Sequence, residues 1–181
     1  MASATAHFEP VLSPPAPVDA VGSTPDPVLA AHSRTIVRWM ARHLLRSFEV
    51  AREMHGGDVM QTIVFTTIWS LNVGHLGRNA GYAAIGDVPP DTMRRPLSVH
   101  RLARRLHLPE ETVRRYVGKL IDAGLCERVG RQGVIVPRTV FERPDVMQLA
   151  MRQVEGAVAY CRAVSDLVGA PTRPAADEAF I

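Results

Sequence analysis

For most of this chain, apolar positions recur with helical spacing. From about residue 28 to 55, Val37, Met40, Leu44, Ala51 and Met54 fall near one stripe. Arg34, Arg38, Arg42, Arg46 and Arg52 occupy the rest of the surface, which predicts an amphipathic helix stopped by Gly56-Gly57. Asp58 is placed to cap a second helix over about 58–76, apolar nearly all round and so expected at the centre of the fold. The run Val59 to Leu76 is interrupted by Gln61, Thr62, Thr66, Thr67, Ser70, Asn72 and His75, too polar a pattern for a membrane span. Residues 77–96 carry Gly77, Gly81, Gly86, Pro89, Pro90 and Pro96 and predict a loop with room for one helical turn.

The segment from Arg95 onward changes rhythm. Ser98 is a capping residue for a short helix over about 99–106, with Val99, Leu102, Ala103 and Leu106 inward. His107-Leu108 forms the expected turn. Pro109 suits a helix start, and Glu110 and Glu111 complement the helix dipole in the first turn. That helix buries Val113, Val117, Leu120 and Ile121 and runs to about Ala123, where Gly124 ends it. Leu125 to Val129 and Val134 to Val136 predict two short strands around Gly130-Arg131-Gln132-Gly133. A last helix is expected over about 143–168.

The two ends read differently. Residues 1–25 are rich in Pro, Ala, Ser and Val and are expected to form a disordered arm; residues 171–181 are expected to be a flexible tail. Between them the sequence divides into a helical scaffold over 26–94, a compact module over 95–138 and a C-terminal helical segment over 139–170. No internal repeat is evident. The fold class expected is mainly α with one small β-hairpin.

Charge sharpens this picture. The 181-residue chain carries a net charge of only +3. Residues 94–143 hold 12 basic side chains (Arg94, Arg95, Arg101, Arg104, Arg105, Arg114, Arg115, Lys119, Arg128, Arg131, Arg138 and Arg143) against five acidic ones, a local +7. A basic module beside a mildly acidic remainder is the footprint of a polyanion binder. Only one of the 21 basic residues is lysine; arginine forks onto phosphate and guanine better than lysine does. At about 100° per residue, Glu111, Thr112, Arg115 and Lys119 lie opposite or flanking the buried side of the 109–123 helix, with Arg114 at an edge.

From Leu97-Ser98 through Pro137 the sequence resembles the winged helix-turn-helix of bacterial transcription regulators, closest to the GntR and MarR kinds. The resemblance rests on Leu102-Ala103, Thr112-Val113-Arg114, the exit Leu120…Ala123-Gly124-Leu125 and Gly130…Gly133, about 41 residues in all. Two departures stand out: Pro109 occupies a position where many members have a capping Ser, and the loop before Arg95 is long. The resemblance implies operator contacts from Thr112, Arg114, Arg115 and Lys119 on the recognition helix and from Arg131 and Gln132 on the wing. Arg101, Arg104 and Arg105 would touch mainly the backbone. The function expected is sequence-specific binding of double-stranded DNA for transcription regulation. The competing expectation is a winged-helix adaptor that grips another protein.

Met147, Ala150, Val154, Ala157, Cys161, Val164 and Val168 repeat at alternating spacings of three and four, a heptad seam. It predicts a homodimer through helix 143–168, joined by helix 28–55; packing against the chain's own core is the alternative. Cys161 lies on that seam, a position for a redox switch or for a small apolar side chain. Cys126 is expected to be inert packing. Two cysteines make no disulfide framework, and no signal peptide precedes the first helix, so a cytoplasmic protein without membrane association is expected.

The seven histidines show no zinc-motif spacing, and there is no phosphate-binding glycine motif or nucleophile elbow. Neither enzymatic activity nor a cofactor is expected. Trp39, Phe65 and Trp69 read as core, and a small-molecule effector, if one binds, is expected between these helices and the basic module.

Overall fold

The computed structural model describes residues 26–76 and 79–169. The expected arm at 1–25 and tail at 171–181 lie outside the described residues. The chain is mainly helical, with one two-stranded antiparallel hairpin. In chain order the elements are α1 (Pro27–Arg52), α2 (Val59–Val73), α3 (Val99–Leu106), α4 (Glu110–Asp122), β1 (Glu127–Val129), β2 (Gly133–Ile135), α5 (Arg138–Phe141) and α6 (Pro144–Gly169). Single 3₁₀ turns follow α1 and α2, and two more, Ala80–Tyr82 and Asp91–Met93, punctuate the loop where one was expected. α5 was not anticipated; its four residues are too few for a periodic signal.

Local chemistry accounts for the boundaries. The Asp26 carboxylate accepts from Val28 N–H at the start of α1, Asp58 from Gln61 N–H at α2, and the Ser98 hydroxyl from Arg101 N–H at α3. α4 starts after Pro109 with no side-chain cap, so Glu110 and Glu111 answer the exposed N–H groups through the dipole alone. α3 ends at His107, whose φ of 52° is the only left-handed non-glycine backbone among the described residues. Gly124, at φ 67°, turns the chain out of α4.

The core gathers one face of each element. Val64, Phe65 and Ile68 of α2 meet Leu102 and Ala103 of α3, Val113, Val117 and Leu120 of α4, and Val134 and Val136 at the hairpin. α2 is thus the central helix, as its all-round apolarity predicts. In the hairpin Glu127 pairs with Ile135 and Val129 with Gly133; Leu97 adds a bridge to Val134 as a one-residue third strand. There the backbones nearly touch. A Cβ on Gly133 would lie 2.5 Å from the Leu97 carbonyl carbon and oxygen.

One buried polar side chain ties these layers together. Asn72, on the last turn of α2, is fully buried. Its Nδ2 donates to Arg95 O at 2.7 Å and to Val134 O at 3.3 Å, and its Oδ1 accepts from Val136 N–H at 2.9 Å. The Asn72 carbonyl also accepts from Arg95 N–H. The central helix is thereby bolted to the strand preceding α3 and to the hairpin.

Beyond Val146, which joins the core from the first turn of α6, α1 and α6 stand apart from it. They pack chiefly on each other, and α1 has no fully buried residue. Contacts run antiparallel: Glu53 pairs with Arg152, Ser47 O accepts from Gln153 Nε2 at 2.6 Å, and His43 stacks on Tyr160 with ring centroids 5.0 Å apart. Val37, Met40 and Leu44 remain half or more exposed, and Cys161 is exposed as well. Phe65 is core, as expected, whereas Trp39 is half-buried and Trp69 sits at the surface against the edge of Phe141. No described helix is long and apolar enough to cross a membrane.

Candidate nucleic-acid interface

α4 is held as a rigid rod. Val113, Val117 and Leu120, all fully buried, anchor one side. At about 100° per residue, Arg115 and Lys119 then project from the far side, with Thr112 and Arg114 on its two flanks. Arg114 and Arg115 are exposed and Thr112 is half-buried. Burying three apolar side chains at about 1.5–3 kcal/mol each fixes the helix far more firmly than its surface pairs could.

The structure differentiates among the sequence-predicted residues. Arg115 lies over the Tyr116 ring, its guanidinium carbon 5.5 Å from the centroid, which props the side chain along the helix. Arg114 is loosely paired with Glu111 at 3.8 Å. Lys119 is the most committed: its ammonium meets Asp58 Oδ2 at 3.4 Å and lies 5.0 Å from the Tyr116 centroid. Asp58 already serves α2, and its carboxyl is held below the usual range chiefly by the Gln61 N–H, with burial opposing and Lys119 adding a lesser pull in the same direction as Gln61. Lys119 therefore joins α4 to the start of α2 as well as adding charge to the exposed side.

Arg101, Arg104 and Arg105 are exposed on α3, and Arg131 and Gln132 are exposed at the hairpin tip, with Arg128 exposed on β1. Glu110 is engaged by His100 of α3, which braces the first turn of α4. Not every arginine in the basic segment contributes to a surface. The Arg94 side chain is 1 % exposed, with Nε on Asp91 at 2.9 Å, a terminal nitrogen donating to Pro89 O at 3.0 Å, and the group stacked over Phe141. It holds the loop to α5, so the local charge available to a partner is one less than the sequence count. Arg138 and Arg143 are paired with Glu142 and Asp145.

The signal missed in the sequence is Asn72, which fixes where the hairpin stands relative to α2. It was visible only as one polar interruption among seven in an apolar run. Cys126 is 1 % exposed, and burial pushes its thiol up to about 12, which leaves it a packing residue. A cavity of about 200 Å³ lies beside α2, lined by Trp69, Val73, Tyr82, Ile85 and Phe141 among others, with Arg94 at its wall. It lies between α2, the loop before α3 and Phe141, with no residue of α3, α4 or the hairpin in its wall, so it is not at the junction where an effector was expected. It is also smaller than the roughly 300–1,000 Å³ typical of ligand pockets. Among the described residues no group of three or more His, Cys, Asp and Glu side chains is placed to hold a metal.

No protein-family model, no characterised protein and no solved structure shows significant similarity to the chain.

Proposed function

We propose that this chain is a sequence-specific double-stranded DNA-binding transcription regulator of the cytoplasm, with α3, α4 and the β1–β2 hairpin forming a winged helix-turn-helix. The observation that carries the reading is the exposed side of α4. It presents Thr112, Arg114 and Arg115 from a helix anchored by three fully buried valine and leucine side chains, flanked by arginines on both neighbouring elements. A helix of this kind fits the roughly 12 Å width of the major groove.

The roles divide by geometry. Arg115, braced on Tyr116 at the centre of the projecting side, can grip guanine O6 and N7 together. Thr112, near the helix start, can contact a base edge or a phosphate. Arg114 reaches along one flank, Lys119 contributes charge while paired with Asp58, and Arg131 and Gln132 extend from the hairpin tip to an adjacent groove or strand. Arg101, Arg104 and Arg105 supply phosphate contacts, which carry affinity rather than sequence information.

The test is selection from a random duplex DNA library at two salt concentrations. An enriched motif, with affinity falling by about 0.9 log unit per log salt for each phosphate contacted, supports the reading. No enrichment at either salt, together with salt-insensitive binding of a protein ligand, replaces it with the adaptor reading.

A further inference from the structure

The antiparallel α1–α6 pair has a second apolar side that no described part of the chain covers. On α1 the side facing α6 is marked by His43 and Ser47, and on α6 by Gln153 and Tyr160. The exposed apolar residues lie elsewhere. Val37 is 56 % exposed, Met40 50 % and Leu44 54 %; on α6, Val154 is 48 % exposed and Val158 42 %. At about 100° per residue, Val37, Met40 and Leu44 lie roughly 60–120° round α1 from the His43 direction, and Val154 and Val158 roughly 100–140° round α6 from Gln153. Both rotations have the same sense along the chain. Because the helices run in opposite directions, equal senses point both stripes to the same side of the pair. The two stripes therefore merge into one apolar face. On the expected seam, Cys161 turns toward this face, whereas Ala157 is half-buried and lies nearer the α1 side.

We infer that this face is occupied by a second copy of the chain, the two α1–α6 pairs closing into a four-helix bundle. Three features select this occupant. The first is size: helices of 26 residues are about 39 Å long, and two side by side are about 20 Å wide, giving about 780 Å². A stable complex buries about 800 Å² per partner. The second is charge. Arg38, Arg42 and Arg46 lie round on the far side of α1, and Arg34 and the α6 residue Arg162 at the rim, so the centre of the stripe that would meet its own copy across a two-fold axis carries no like charges into contact. The third is layering: a two-helix layer amphipathic on its outer side is completed by an identical layer, as in four-helix bundles. The inference stands on the α1–α6 pair alone and holds whether or not α4 reads DNA.

The experiment is the solution mass of the full chain at micromolar concentration by sedimentation equilibrium, with Leu44→Glu, Val154→Glu and Arg38→Glu variants and a chain lacking residues 1–25. The wild type and Arg38→Glu are expected to be dimers, as is the shortened chain. Leu44→Glu and Val154→Glu are expected to weaken self-association by about 100-fold or more while keeping wild-type helicity, since both positions are exposed in the single chain. A monomeric wild type overturns the inference. So does a wild type that dimerises only after residues 1–25 are removed, which would make that segment the occupant, or dimers of undiminished affinity in both glutamate variants. DNA affinity measured on the same samples reports separately on the α4 reading.

Discussion

Replacing Asn72 by aspartate should convert a pH-neutral structural bolt into a pH-dependent one. The side chain keeps its size, and the retained oxygen still accepts from Val136 N–H at 2.9 Å. What changes is the other end, where Nδ2 now donates to Arg95 O at 2.7 Å and Val134 O at 3.3 Å. A carboxylate there presents an anion to two carbonyl oxygens. Val134 O keeps a second donor, Leu97 N–H at 3.0 Å, so its loss is partly covered. Arg95 O depends on Asn72 more heavily. Leaving one buried acceptor unsatisfied costs about 1–3 kcal/mol. Burying an unpaired charge adds several kcal/mol more. The sum at neutral pH, about 4–6 kcal/mol, is a large share of the 5–15 kcal/mol that holds a typical domain.

The sign follows from which form the fold prefers. Burial and the facing carbonyls disfavour the charged carboxyl, so its folded pKa rises above the unfolded value of about 3.9. A protonated carboxyl can donate to Arg95 O and restore most of the bolt. The variant is therefore closest to wild type below about pH 4 and falls behind as pH rises through the folded pKa, by up to about 1.4 kcal/mol per unit. Urea denaturation of wild type, Asn72→Asp and Asn72→Ala across that range measures the gap directly. Asn72→Ala should lose about 3 kcal/mol with no added pH dependence. If Asn72→Asp trails wild type by less than about 1 kcal/mol at neutral pH, or by the same amount at every pH, Asn72 does not join α2 to the hairpin as described.

Four further outcomes follow from single side chains. Gly133→Ala places a Cβ 2.5 Å from the Leu97 backbone at a φ of 140° and should cost about 3 kcal/mol or more, whereas Gly130→Ala, at φ 49° with open space around it, should cost about 1–2 kcal/mol; thermal melts separate the two. Gly118→Ala adds a methyl to the middle of α4 with nothing within 4 Å and should raise stability by about 0.5–1 kcal/mol, an effect that calorimetry resolves. His55 is 7 % exposed, packs on Phe65, and is pushed down to about 4 chiefly by burial, with Asp58 opposing. Its fold prefers the neutral ring, so stability should decline as pH falls from about 6.5 toward 4, by at most about 1.4 kcal/mol per unit, and a His55→Gln variant should lack that decline in urea titrations. Arg115→Ala should weaken binding to a selected operator by about 1–3 kcal/mol in a fluorescence titration, and an unchanged affinity would remove it from base reading.

What the sequence disclosed and what it withheld divide along one physical line. Helix starts were legible because caps are local: Asp58 and Ser98 bond to N–H groups three residues on, and both caps form. The hairpin was legible because Gly130 and Gly133 sit where the backbone takes positive φ. The order of helix, turn, helix and hairpin needed only periodicity and these punctuation marks. Contacts over long separations were not legible. Asn72 reaches Val136, Lys119 reaches Asp58, and Arg94 is buried under Phe141, each across tens of residues that periodicity does not connect. The same limit explains the C-terminal seam. A heptad pattern reports that a helix has an apolar side, not which neighbour takes it, and α6 has two adjacent apolar sides. The fold gives α1 the side marked by Gln153 and Tyr160, and leaves Val154 and Cys161 facing out. A helix whose second apolar side meets no other described element is half assembled, and solvent is a costly neighbour for that side at about 25 cal/mol per Å² of apolar surface. That unmet cost, rather than the heptad spacing itself, is the stronger reason to expect another chain there.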